Sequence, residues 1–171
     1  MLIKKIMVLV FIIILNTAIR AEITELSRAE IASLKKQKIV QHILYETYFD
    51  TGRGVNNVLG FNYDSYISDN VYYTTAIYGA VNGICAGYGI ALVGGGYFKK
   101  LSPDWDFDAR FMLGSGGGGG VKGGGGFACE ALAGLSYEFI KNLFLEVKVG
   151  GLFFPTGTFN TPVINIGVAA Q

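Results

Sequence analysis

The chain has 171 residues, of which 51% are hydrophobic and 25 are glycine, with 14 basic residues against 13 acidic ones. A chain so close to neutral lacks the basic excess of a nucleic-acid binder, and nucleic acid is excluded as a partner. Beyond the first residues no apolar stretch approaches the roughly 20 residues of a membrane helix, so any passage through a bilayer has to be made by strands.

At the N-terminus Lys4 and Lys5 precede an apolar run from Ile6 to Leu15, and Ala18-Ile19-Arg20-Ala21 follows. A basic start, a short apolar core and an Ala-x-Ala-like end predict a secretory signal peptide over residues 1–21, removed after Ala21. The remaining chain, about 150 residues, is the size of one domain. Without Lys4, Lys5 and Arg20 it carries 11 basic and 13 acidic residues. Ser27-Arg28-Ala29-Glu30 has the form of a capping box, with Ile31 and Leu34 following at helical spacing, and predicts a short helix or periplasmic segment over residues 22–38.

From Ile39 onward, runs rich in Val, Ile, Tyr, Phe and Thr alternate with turn signals. They predict eight strands, at about 39–50, 56–67, 71–81, 84–98, 104–115, 126–139, 143–154 and 158–170. Residues 39–50 would equally extend the preceding helix, which would leave seven. In the fourth strand Ile84, Ala86, Tyr88, Ile90 and Leu92 are expected to face away from a small inner side made of Cys85, Gly87, Gly89 and Ala91. The fifth is the clearest: Trp105, Phe107, Ala109, Phe111 and Leu113 alternate with Asp104, Asp106, Asp108, Arg110 and Met112. The sixth sets Phe127, Cys129, Ala131, Leu135, Tyr137 and Phe139 opposite Glu130, Gly134, Ser136 and Glu138, and the seventh sets Leu143, Leu145, Val147 and Val149 opposite Glu146 and Lys148. Cys85 and Cys129 then lie on opposite faces, too far apart to pair.

Short turns at 68–70, 99–103 and 140–142 fall at one end of these strands, and the connections near 50–54, 82–83, 116–125 and 155–157 at the other. An even strand number with both termini at one end suits an all-β, antiparallel up-and-down barrel spanning residues 39–171. Alternation alone also suits a soluble sandwich or barrel, with the wet face exchanged. Phe98, Trp105, Tyr137 and Phe139 sit beside the short turns, where aromatics form interfacial girdles, and with Phe107 and Phe111 they make up the expected lipid-facing set.

Gly94-Gly95-Gly96-Tyr97-Phe98-Lys99-Lys100-Leu101-Ser102-Pro103-Asp104-Trp105 is a glycine-rich strand followed by an aromatic and a short polar turn, and Gly134 to Leu143 is a second such unit. In these the chain resembles the small outer-membrane β-barrel proteins of Gram-negative bacteria, the class of the eight-stranded OmpA-like membrane domains. The resemblance implies a non-enzymatic barrel with a structural or interaction role in the cell envelope, located in the outer membrane with its lipids as partner. Where such barrels usually end in an aromatic residue, this chain ends Val168-Ala169-Ala170-Gln171. The alternatives are a soluble periplasmic barrel binding a small apolar ligand and a lipid-acting outer-membrane hydrolase.

The interior candidates are Asp106, Asp108, Arg110, Glu130, Glu138, Glu146 and Lys148, which would pair across a lumen just wide enough for side chains. Neither a cofactor nor a metal is expected: Asp104, Asp106 and Asp108 have strand spacing, without the glycine-bent loop of a calcium site. The one histidine, His42, has no neighbouring serine in sequence and reads as structural, although Ser65 or Ser136 could approach it in a hydrolase. The run Gly114 to Gly126 lacks the Gly-Lys-Ser/Thr of a phosphate loop and reads as a hairpin, with Lys122 solvated at its tip.

Overall fold

The computed structural model describes residues 38–50 and 54–171; the signal peptide and, apart from Lys38, the 22–38 segment expected from sequence lie outside the described residues. The described chain forms eight strands: β1 (Ile39–Asp50), β2 (Gly54–Tyr66), β3 (Val71–Gly83), β4 (Gly89–Lys100), β5 (Trp105–Gly117), β6 (Phe127–Ile140), β7 (Leu143–Phe153) and β8 (Asn160–Ala170). Each pairs antiparallel with the next, and β1 pairs with β8, so the sheet closes into an up-and-down barrel without edges. Residues 39–50 are therefore strand, and the even count follows from them.

Alternation determines which side of the wall each residue faces. Val93 and Val149 are 60% and 58% exposed on the outside, while Asp106, Asp108, Arg110, Glu130, Glu146 and Lys148 are buried within. The barrel is thus inverted relative to a soluble β-protein, apolar outside and charged inside. Its interior is layered. Val40, Tyr66, Tyr72 and Ala169, with Phe98 and Phe144 against them, fill the end of the short turns. Tyr48, Tyr78, Tyr88, Leu92, Met112, Leu152, Phe154 and Phe159 are among those filling the end of the longer connections. The charges lie mainly between these two clusters.

The fourth strand departs from expectation. It begins at Gly89, five residues later than the pattern suggests, because Cys85–Tyr88 form a turn in which the Tyr88 amide donates to the Cys85 carbonyl (3.0 Å). Cys85 is buried and Ile84 exposed as expected, but the turn changes parity, so Tyr88, Ile90 and Leu92 face inward and Ala91 and Val93 outward. Cys129 is partly exposed on the outer side, and the two cysteines are not joined in a disulfide.

The glycine run is the hairpin expected between β5 and β6, and its tip folds against the β7–β8 connection. The Thr158 amide donates to the Lys122 carbonyl (2.9 Å) and the Gly125 amide to Thr156 Oγ1 (3.1 Å). Gly124 has φ +60°, and a Cβ there would overlap the Thr156 carbonyl, so this docking needs glycine.

Gly134 and Gly150 serve the wall itself: a Cβ on either would overlap a carbonyl oxygen of the neighbouring strand, that of Val147 or Ala131. Gly134→Ala and Gly150→Ala are each expected to cost about 1–3 kcal/mol as overpacking. Gly79→Ala, where a Cβ would meet open space, is expected to cost far less, and urea unfolding midpoints compare the three.

Candidate functional site

Six ionisable side chains from four strands meet at mid-lumen in a closed ring of alternating acid and base. Asp108 Oδ1 accepts from Arg110 Nη2 (3.0 Å) and Nε (3.1 Å), and Arg110 Nη2 reaches Asp64 Oδ2 at 3.5 Å. Asp64 Oδ2 lies 2.9 Å from His42 Nε2, and His42 Nδ1 lies 2.5 Å from Glu146 Oε1. Glu146 Oε2 accepts from Lys148 Nζ, which stands 3.6 Å from Asp108 Oδ1 and closes the circuit. Every member therefore has an opposite-type neighbour on each side. In a narrow lumen this matters, because a buried ion costs several kcal/mol unless paired.

Neutral groups hold the ring in place. The Tyr72 hydroxyl donates to Asp108 Oδ2 (2.5 Å) and the Thr74 hydroxyl to Asp64 Oδ1 (2.6 Å). The Arg110 guanidinium carbon stands 5.7 Å from the Tyr72 ring centroid, within cation–π range.

Toward the short turns, Lys38, His42, Asp64, Arg110, Ser136 and Glu146 help to line a cavity of about 30 Å³, which has room for about two waters. Lys38 Nζ stands 4.5 Å from the centroids of both Tyr66 and Phe98 and roofs this mouth. Burial there pushes the Lys38 ammonium below the usual lysine range.

Of the interior residues expected from sequence, Asp108, Arg110, Glu146 and Lys148 belong to the ring. Asp106 is buried on the same strand, nearer the turns, and Glu130 is buried toward the loop end. Glu138 is a correction. It is only half-buried, and its Oε1 accepts from the Asn142 amide (2.9 Å), capping the β6–β7 turn. It keeps its inward register, pairing with Phe144 ahead of the shift between Glu138 and Ile140, but it stands at the turn-end rim, where its carboxylate caps the turn rather than joining the ring.

Of the expected outer aromatics, Trp105, Phe107, Phe111, Tyr137 and Phe139 lie on the outside, with Trp105 and Tyr137 stacked at 5.0 Å. Phe98 is the second correction. It pairs in register with inward-facing Asp108 and packs into the turn-end cluster, so Tyr97 is the outward residue at that level. Three glycines in a row, Gly94 to Gly96, carry no inside or outside signal and hide the parity of this strand.

His42, Glu46, Asp64 and Tyr72 are among the interior polar residues beyond those expected from sequence. Their signal was present as alternation, with His42, Leu44, Glu46 and Tyr48 against Ile43, Tyr45 and Phe49. Asp104 is exposed at its turn. Among the described residues no group of three or more His, Cys, Asp and Glu side chains is disposed to hold a metal ion.

No family model and no curated protein matches the chain. Among solved structures it is similar to a de novo designed transmembrane β-barrel at TM-score 0.59 and 16% identity, over 77% of this chain and 92% of that one. The N-terminal β-barrel domain of Pseudomonas aeruginosa OprF matches at TM-score 0.55 and 14% identity, over 77% and 95% of the two chains. The Yersinia pestis outer membrane protein Ail, in a phospholipid bilayer nanodisc, matches at TM-score 0.53 and 10% identity, over 79% and 99%. The chain therefore has the fold of the small eight-stranded outer-membrane β-barrels, a likeness of fold alone at these identities.

Proposed function

We propose that this chain is a non-enzymatic outer-membrane β-barrel with a structural or interaction role in the cell envelope, its wall in contact with membrane lipids. The observation that carries this reading is the inverted polarity of the wall. In water, a predominantly apolar exterior of this extent is an aggregation surface; in a bilayer it is the required one, and the closed ladder leaves no backbone group to satisfy.

Neither alternative fits the interior as well. A carrier of apolar ligands needs an apolar cavity, and here the middle of the barrel is occupied by the ion ring. A hydrolase needs an imidazole nitrogen directed at its nucleophile. Both ring nitrogens of His42 face carboxylates instead, which favours a structural role over activation of Ser65 or Ser136.

The test is fractionation of expressing cells together with aqueous maleimide labelling of Val93→Cys in a C85A/C129A background. Sedimentation with the membranes and protection of position 93 until the protein is unfolded is the expected result. Release into the soluble fraction with position 93 freely labelled would replace this reading by the periplasmic one.

A further inference from the structure

Beyond the charge ring, toward the longer connections, the lumen holds a second polar compartment that the function proposed above does not use. Glu130, on β6, is 0% exposed, and neither of its carboxylate oxygens has a hydrogen-bond partner among the described residues. Glu46, on β1, is equally buried; its Oε1 accepts from Asn165 Nδ2 (2.7 Å) and its Oε2 from the Tyr48 hydroxyl (2.9 Å). Glu46 stands between Leu44 and Tyr48 on β1 and Glu130 between Ala128 and Leu132 on β6, and these four belong with Tyr78 and Tyr88 to one core cluster, so the two carboxylates share one compartment. Asn165 Oδ1 also has no hydrogen-bond partner among the described residues.

Among the described residues the compartment is rich in oxygen and poor in positive charge. Lys148 and His42 are each engaged by two acids of the ring. Arg110 acts on Glu46 and Glu130 from the ring, where Asp64 and Asp108 already hold it. Buried carboxylates are paired or coordinate a metal. Taking up a proton would remove the charge of Glu130 and give it one hydrogen to donate, but its other oxygen would still lack a donor among the described residues.

We propose that Glu130 and Glu46 bind a hard divalent cation of the calcium type, with neutral oxygens of Asn165, Tyr78 and Tyr88 completing its shell. Two carboxylates match the charge of such an ion, and hard cations of this size take six to eight oxygen ligands. An ion held in this way ties β1, β3, β6 and β8 together across the loop half of the barrel. The proposal depends on the barrel interior and not on where the barrel resides, so it stands or falls separately from the membrane reading.

The probe is terbium(III), added to the full chain refolded in detergent, with luminescence excited through tyrosine. The expected result is saturable emission at one ion per chain, displaced by calcium, with affinity lowered by at least about 10- to 100-fold in Glu130→Gln. Calcium should also raise the urea midpoint of the unsubstituted protein and leave that of Glu130→Gln unchanged. Absence of saturable tyrosine-sensitised emission, or equal affinity in Glu130→Gln, overturns the proposal. Should Glu130→Gln not fold, Tyr88→Phe and Glu46→Gln decide: weaker binding in both supports the site, and unchanged binding in both overturns it.

Discussion

Replacing Arg110 by methionine should destabilise the folded barrel by about 3–5 kcal/mol, the usual cost of removing one partner from a buried ion pair. Arg110 is the member of the ring that touches Asp64 and Asp108 together, and all three side chains are buried. Without it, Asp108 keeps Lys148 at 3.6 Å and the Tyr72 hydroxyl, while Asp64 keeps His42 and Thr74. The loss is therefore not of one bond but of the charge that balances two carboxylates in a space without bulk water. The measurement is urea unfolding in detergent or lipid vesicles, followed by folded-band mobility on unheated gels. A second variant separates this from simple packing. R110M/D108L removes the stranded charge along with its partner, so it should recover a substantial part of what R110M loses. Losses that merely add would show that the ring contributes no coupling and that Arg110 acts as a space-filler.

How much of this was legible in the sequence depended on the strand. β5 could be read residue by residue, because Asp106, Asp108 and Arg110 alternate with large apolar residues and each face has its own chemistry. Glu146 and Lys148 in β7 followed for the same reason. β4 could not, since Gly94 to Gly96 offer nothing to either face, and Phe98 was placed outside when its register with Asp108 puts it inside. Glu138 obeys the alternation, but at the turn-end rim its carboxylate goes to the Asn142 amide, and alternation does not announce that. The ring itself was out of reach for a different reason. His42 and Asp64 lie on the first two strands and Arg110, Glu146 and Lys148 on the fifth and seventh, and only closure of β1 onto β8 makes them neighbours. The residue types were visible; the closure that turns them into a circuit is a property of the whole sheet.

The closed lumen also bears on what such a barrel can present. Between the ring and the loop end, Tyr48 meets Tyr88 edge-on at 6.0 Å and Phe154 meets Phe159 at 6.0 Å, and the glycine-rich hairpin docks on the β7–β8 connection beyond them. An eight-stranded barrel filled in this way is a post and not a pore. Any interaction with a partner is then made by the outer wall or by the loop tips, where Lys122 is exposed.

The wall gives the second large effect. Val149→Arg should destabilise the inserted barrel by about 2–4 kcal/mol, the cost of a basic side chain facing lipid near the bilayer midplane. Val149 lies near the middle of β7, pairs in register with Ala133 and Ile164, and is 58% exposed on the outer face. Nothing inside the barrel is altered by the substitution, so its effect reports only the medium outside. Thr158→Arg, at an exposed position in the β7–β8 connection where only the backbone amide is engaged, is the matched control, and because that depth is wet its effect should stay within about 1 kcal/mol. The folded fraction recovered after refolding into phospholipid vesicles measures both. The sign of the comparison carries the information: in a soluble barrel an arginine at position 149 would interrupt an exposed apolar wall and improve solubility, and in a membrane barrel it must drag a charge into hydrocarbon. A Val149→Arg protein that folds as well as its Thr158→Arg control would mean that water, not lipid, covers this wall.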